Sequence, residues 1–115
     1  MREPTFMVLA ALADGPKHGY ALIKEADDLS HGRVQLKVGT LYAALERLQG
    51  EGLVAISSEE VVDGRLRRYF CLLEEGSLQL QAEILRMEQN SREARLRIRP
   101  VMPFSVLRPA IGFAK

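Results

Sequence analysis

The apolar positions of the chain follow a helical period in some stretches and a strand period in others. In the run VGTLYAALERLQGEGLV, from Val38 to Val54, the residues Leu41, Ala44, Leu45, Leu48 and Leu53 recur at helical spacing and form one face. The other face carries Thr40, Tyr42, Glu46, Arg47 and Gln49, and Gly50 and Gly52 mark a stop. Two strand-like runs follow, Leu53 to Val62 and Leu66 to Leu73, joined by Asp63-Gly64. That dipeptide is a strong hairpin signal, because a type I′ turn needs positive φ at both central residues. Two further helices precede Val38. The first runs from Pro4 to Ala13, with Pro4 suited to an initial turn and Asp14-Gly15-Pro16 ending it. It is apolar almost all round, which predicts burial on more than one side, as at a dimer interface. The second runs from about His18 to Leu29, with Ala21, Leu22, Ala26 and Leu29 facing in and Lys24, Glu25 and Asp28 facing out. Arg33 to Lys37 alternates and fits either a short strand or an extended loop.

A fourth helix is predicted from about Glu74 to Ile98. Glu74 and Glu75 suit the positive end of its dipole and the late arginines the other end. Its residues Leu80, Ile84, Met87, Ser91, Ala94 and Ile98 fall at heptad spacing, a seam for a second subunit to cover. Pro100 stops it. The expected order is helix, helix, helix, strand, strand, long helix: a mainly α chain with a small β-hairpin (α+β). This is a winged helix-turn-helix over residues 1–73, a C-terminal dimerisation helix over 74–99 and a Pro-containing apolar tail over 100–115.

Composition narrows the function classes. With 115 residues the chain is one domain with a modest core. No apolar run is long enough to span a bilayer, and MREPTF lacks a signal-peptide layout, so a cytoplasmic protein without a membrane partner is expected. A single cysteine, Cys71, rules out an internal disulfide and a thiolate metal cluster. It reads as a packed thiol, with a redox role as the alternative. Two histidines thirteen residues apart, His18 and His31, make no metal site. There is no GxSxG, no Walker loop and no paired histidine–carboxylate spacing, so neither catalysis nor a cofactor is expected.

The net charge of +1 argues mildly against nucleic acid, but phosphate contacts need only a local patch. Arg65, Arg67 and Arg68 surround the hairpin turn, with no obvious acidic partners beyond Glu59, Glu60 and Asp63, and form the clearest one, since arginine forks suit phosphate; a charged, solvated hairpin is the alternative. At the start of the third helix, Lys37, Thr40 and Tyr42 are placed to meet double-stranded DNA. Tyr42 is equally read as a half-buried ring, and Lys37 as a solvated lysine. Lys17, His18 and Tyr20 open the second helix, which in this architecture crosses the phosphate backbone. His18 is also read as a capping or core histidine.

His18-Gly19-Tyr20, then VGTLYAALERLQGEGLV, then RRYFCLLEEG at Arg67 to Gly76 together resemble the PadR-type transcriptional regulators, over most of Phe6 to Ile98. The resemblance implies a winged helix whose C-terminal helix pairs two copies into a homodimer, as in the short subgroup with one such helix. It also implies repression of detoxification, efflux or phenolic-acid genes, relieved in some members by small aromatic ligands. The chain departs from the family pattern at Val38 and Ala43, where prolines are usual, and at Glu74, where a threonine N-cap is usual. The last departure predicts a less sharply fixed start to the fourth helix.

The dimer interface is expected at Phe6, Leu9, Leu80, Ile84, Met87, Ala94 and Ile98. A small-molecule effector site is expected at Phe6, Leu9, Ile84 and Met87, with ordinary dimer core as the alternative. The absence of tryptophan weakens a multidrug-binding reading. The competing function is a winged-helix protein-interaction module without DNA binding, favoured by Glu46, Glu51, Glu59 and Glu60 near the DNA-facing side.

Overall fold

The computed structural model describes residues 1–100. The element order is α1 (Glu3–Leu12), β1 (Lys17–His18), α2 (Gly19–Leu29), α3 (Val38–Gly50), β2 (Val54–Val62), β3 (Arg65–Leu72) and α4 (Glu74–Arg97). The three strands form one antiparallel sheet in the order β1-β3-β2. This is an α+β winged helix, as the sequence predicts. The tail expected over residues 100–115 lies, beyond Pro100, outside the described residues.

The helical faces read from the sequence build the core. Leu41, Leu45 and Leu48 of α3 are buried against Val8, Leu9, Ala11 and Leu12 of α1, Leu22 of α2, and Leu53, Val54 and Phe70 around the hairpin. The apolar surface of α1 therefore goes largely into the chain's own core, with Phe6 packed partly against it. Asp63 and Gly64 have φ of 52° and 75°, the two positive values that a type I′ turn requires. The segment 33–37 is a loop, whose Val34 is buried.

Three local features depart from the expectation. Lys17–His18 pairs with Tyr69–Phe70 as a strand too short to show a period, so α2 starts at Gly19 and His18 becomes its N-cap. Leu29, expected inside, is 48% exposed. Ser30 takes the inward position instead: its Oγ accepts from the Val34 N–H at 2.8 Å and donates to the Asp27 carbonyl at 3.2 Å, closing the turn out of α2. Finally, the start of α4 is held by packing rather than by a threonine cap. A Cβ on Gly76 would lie 2.2 Å from the Leu53 carbonyl oxygen and 2.7 Å from Leu72 Cδ1, so the helix backbone rests directly on the entry to the hairpin. The Leu73 N–H donates to that same Leu53 carbonyl at 2.9 Å.

Two compact units are distinguished, Met1–Leu85 and a second from Arg86 onward. In the first, Leu80 joins the core and Glu83 is buried, with the Met1 amino group 3.6 Å from its carboxylate. In the second, the described residues are all exposed and Arg95 donates to Ser91 Oγ at 3.3 Å. Among the described residues no helix is long and apolar enough to cross a membrane.

Candidate nucleic-acid interface

The wing is a two-stranded ribbon whose register sets its chemistry. Val62 faces Arg65, Val61 faces Leu66, Glu60 faces Arg67 and Glu59 faces Arg68. Strand alternation puts Leu66, Arg68 and the buried Phe70 on one side, and Arg65, Arg67 and Tyr69 on the other. A register shift between Ile56 and Ser58 adds a bulge, where Ser57 Oγ donates to the Tyr69 carbonyl at 3.2 Å. Opposite charges directly across the ribbon pair up: Arg68 Nε donates to Glu59 Oε2 at 2.8 Å. On the other side the Tyr69 hydroxyl donates to Glu60 Oε1 at 2.9 Å. Arg65 and Arg67 have no ion pair among the described residues.

Against this ribbon stand the N-terminus of α2 and the first turns of α3. His18 Nδ1 accepts the Ala21 N–H at 3.4 Å, which requires the unprotonated nitrogen there, and its ring meets Tyr69 edge-on with centroids 5.5 Å apart. The Tyr42 ring meets Phe70 with centroids 6.1 Å apart. A Cβ on Gly19 would sit 2.6 Å from the Tyr42 hydroxyl oxygen, so the glycine of the HGY run is what lets Tyr42 lie across the start of α2. The result is a groove of about 470 Å³ lined by His18, Gly19, Tyr20, Tyr42 and the wing from Val62 to Arg68.

Of the nine residues expected to meet DNA, six line this groove: His18, Tyr20, Tyr42, Arg65, Arg67 and Arg68. Tyr20 is 71% exposed, and both readings of Tyr42 apply, since its ring packs on Phe70 while 43% of it stays open. Lys37 and Thr40 are exposed on the first turn of α3, outside the groove.

Lys17 departs from the expectation. Its ammonium donates to the Ala11 carbonyl at 2.7 Å, bonds Asp14 and lies 3.6 Å from Glu25, and its side chain is only 14% exposed. It locks α1 to α2 and has no charge left for phosphate. Tyr69, which meets the His18 ring, is not singled out by the sequence, whereas Glu59, an acid expected near the DNA-facing side, proves to be the partner of Arg68. The two-residue Asp63-Gly64 turn sets the register that pairs Glu59 with Arg68, and the pairing of β1 with β3 sets His18 opposite Tyr69.

The apolar residues expected at a dimer interface also divide. Leu9 and Leu80 are 0% and 6% exposed, core residues with no surface to offer, so Leu9 is also removed from the effector set. Phe6 is half-buried, whereas Ile84, Met87 and Ala94 are exposed along α4, and Ile98, exposed too, lies just past the helix end at Arg97. Cys71 is half-buried on β3.

A helix-turn-helix with a cationic β-ribbon beside it and an open third helix defines a winged helix-turn-helix protein. Residues 8–82 match the model of the transcriptional regulator PadR-like family, and the chain belongs to that family, one of transcriptional regulators rather than enzymes. Transcriptional regulator Rv3488 of Mycobacterium tuberculosis is 36% identical over 86 residues, 75% of this chain and 77% of that protein. A 37.1 kDa protein in transposon TN4556 of Streptomyces fradiae is 42% identical over 81 residues, and the match spans 70% of this chain but only 22% of that protein. Among solved structures, a PadR family regulator from Clostridium difficile superposes with a TM-score of 0.69 at 21% identity, covering 83% of this chain and 97% of that one. Bacillus subtilis PadR in complex with operator DNA superposes with a TM-score of 0.64 at 16% identity, covering 89% of this chain and 52% of that one.

Proposed function

We propose that two copies of this PadR-family regulator bind one operator in double-stranded DNA and repress transcription, and that a small aromatic molecule at the dimer interface relieves the repression. The observation that carries the DNA part is the groove, where six residues chosen for phosphate or base contact come from four elements, β1, α2, α3 and β3. In this reading the exposed Lys37 and Thr40 lead α3 into the major groove. Arg65 and Arg67 take phosphates along the wing, and Tyr20 and Tyr42 donate to phosphates between them. The solved operator complex of Bacillus subtilis PadR supports the reading by fold.

A homodimer fits the exposed heptad positions of α4 from Ile84 to Ala94 and Ile98 just beyond its end. Two half-sites must lie about one helical turn, ~34 Å, apart. A ligand that changes the spacing of the two recognition helices therefore weakens binding through its differential affinity for the two states. With Leu9 in the core, Phe6, Ile84 and Met87 are the effector candidates that retain surface.

The test is fluorescence anisotropy with a labelled duplex from upstream of the protein's own gene, at several salt concentrations. If Lys37, Arg65 and Arg67 of each copy take one phosphate, log K against log salt has a slope of roughly −5. Small phenolic acids titrated into the complex are expected to release the DNA. Binding no tighter than to random DNA at low salt overturns the proposal in favour of a protein-interaction module.

A further inference from the structure

The three-stranded sheet has an outer edge that is covered over only part of its length. β1 is two residues long and pairs with Tyr69 and Phe70, whereas the stretch of β3 from Arg65 to Arg68 has a strand, β2, on one side alone. The Asp63-Gly64 turn closes on Val62 and Arg65, which exchange both backbone hydrogen bonds in a type I′ hairpin, and antiparallel pairs alternate from there. Arg65 and Arg67 therefore direct their N–H and C=O groups to β2, and Leu66 and Arg68 direct theirs to the outer edge. Phe70 follows the same alternation and meets Lys17 of β1 there. Among the described residues no backbone group pairs with Leu66 or Arg68 on that side. The edge is uncovered because the chain turns into α2 at Gly19, and the groove of about 470 Å³ runs along it, bounded by Tyr20 and Tyr42.

We infer that this edge accepts a strand from a partner protein, an extended acidic segment that prolongs the line of β1. A row of outward backbone donors and acceptors is a template for strand addition. A segment in line with β1 runs antiparallel to β3, so its successive residues stand opposite Arg68, Arg67, Leu66 and Arg65. Its side chains alternate between the two faces. Those opposite Arg67 and Arg65 share a face with the two guanidinium groups, and carboxylates there pair across the strands. The residue opposite Leu66 shares the other face, where Tyr42 packs on Phe70, and is apolar. The recognised pattern is thus apolar, acidic, apolar, acidic. Charge excludes the nearer occupants. Residues 101–115 carry no acidic side chain. A second copy's β3 would set arginine against arginine, and Glu59 and Glu60 of its β2 are adjacent, so alternation turns one of them away. The pairing stands on the sheet alone. Its consequence rests on the DNA-binding reading above: the segment fills the groove and takes the arginines assigned to phosphate, so partner and operator exclude each other.

The probe is the labelled peptide acetyl-Ser-Val-Glu-Val-Glu-Ser-amide, titrated into the full chain and read by anisotropy, with amide hydrogen exchange followed by NMR. Binding is expected to slow exchange of the Leu66 and Arg68 amides and to leave those of Arg65 and Arg67, already bonded to β2, unchanged. N-methylation of the second valine removes a donor that faces Leu66 and is expected to weaken binding about tenfold. N-methylation of the first glutamate, whose N–H faces away from β3, keeps the charge and is expected to change affinity by less than about twofold. R65Q/R67Q, its fold checked by thermal melts, is expected to weaken the peptide about tenfold. Should that variant not fold, the N-methyl peptides and the exchange rates, all read on wild type, decide the matter. The unmodified peptide is also expected to release the upstream duplex. Equal losses from the two N-methyl peptides, or binding without slower exchange at Leu66 and Arg68, overturn strand addition in favour of a plain charge contact, and absence of binding overturns it outright. A duplex that stays bound to the peptide-loaded protein overturns the mutual exclusion. Edge binding by a protein with no salt-steep affinity for the duplex leaves the strand site standing and overturns the DNA-binding reading.

Discussion

Lys17 shows how the same residue type serves two ends in this fold. By sequence it stands beside the HGY run and reads as a phosphate contact, yet its ammonium turns inward to the Ala11 carbonyl, Asp14 and Glu25. Alternation along the two residues of β1 separates it from His18, which keeps its place in the groove. Lys17→Met is therefore expected to destabilise the fold by about 1–2 kcal/mol, the loss of charge-assisted hydrogen bonds, while the salt slope of DNA binding stays unchanged. Denaturant melts and anisotropy separate the two effects, and a shallower slope in the variant would return Lys17 to the DNA-binding set. The same contact has a pH signature. The hydrogen bond and charge of Lys17 hold the Asp14 carboxyl below its ordinary value, so the folded pKa is depressed. Its contribution is present above the unfolded carboxylate pKa and is lost as pH falls through the folded one. The melting temperature is thus expected to drop on acidification from neutral pH to about pH 3, the lower end of the carboxylate range, and to drop less in Asp14→Asn. An equal drop in both proteins would remove Asp14 from the acid response.

At the scale of elements, how legible the chain is depends on period. The faces of α2 and α3 and the Asp63-Gly64 turn were readable because each depends on local spacing or on one backbone requirement. What could not be read has no period. A two-residue strand shows no alternation, and so β1 was absorbed into a helix start. The bulge near Ser57 breaks the register beyond Ser58 and Tyr69, whereas the Asp63-Gly64 turn fixes the pairing of Arg68 with Glu59, one of the acids legible beside the wing arginines. Leu29 misled because the last turn of α2 passes the edge of the core, where Ser30 turns in instead. The corner before α4 is the sharpest case. The missing threonine cap suggested a loose helix start, but the constraint is steric: Gly76 lies against the Leu53 carbonyl with no room for one more carbon. Gly76→Ala is accordingly expected to cost about 2–3 kcal/mol, although alanine is the better helix former, because the Leu72 side chain can turn away but the closest clash is with the Leu53 backbone, which cannot. Thermal unfolding is expected to fall by more than about 10 °C, and an unchanged melt would show that α4 slides freely on the hairpin. Gly39, with open space where its Cβ would stand, is the internal control: Gly39→Ala has no steric reason to destabilise.

For the whole molecule, a net charge of +1 and a DNA-binding role are compatible because the charge is sorted by location. Lys17, Lys24 and Arg33 are matched by Asp14, Asp28 and Glu3, whereas Arg65 and Arg67 of the wing are left for a ligand. One copy offers few phosphate contacts, so in the proposed reading affinity at physiological salt depends on two copies engaging one duplex. In that proposal the positions that would join them lie on α4: Leu80 is already used by the core, but Ile84 and Met87 at the expected heptad positions are 39% and 49% exposed. Replacing both with glutamate adds no strain to a helix and sets like charges against each other wherever two copies pair along that seam. Ile84→Glu/Met87→Glu is therefore expected to run as a monomer in light scattering after size exclusion, with its melting curve set by the remaining core. Its affinity for the upstream duplex is expected to fall by at least about a hundredfold, since each wing then binds without the effective concentration that a tethered partner provides. A variant that stays dimeric would place the interface elsewhere on the chain. One that becomes monomeric yet binds the duplex as tightly as wild type would show that a single winged helix carries the whole affinity, and relief through a change in the spacing of two recognition helices would then have nothing to act on.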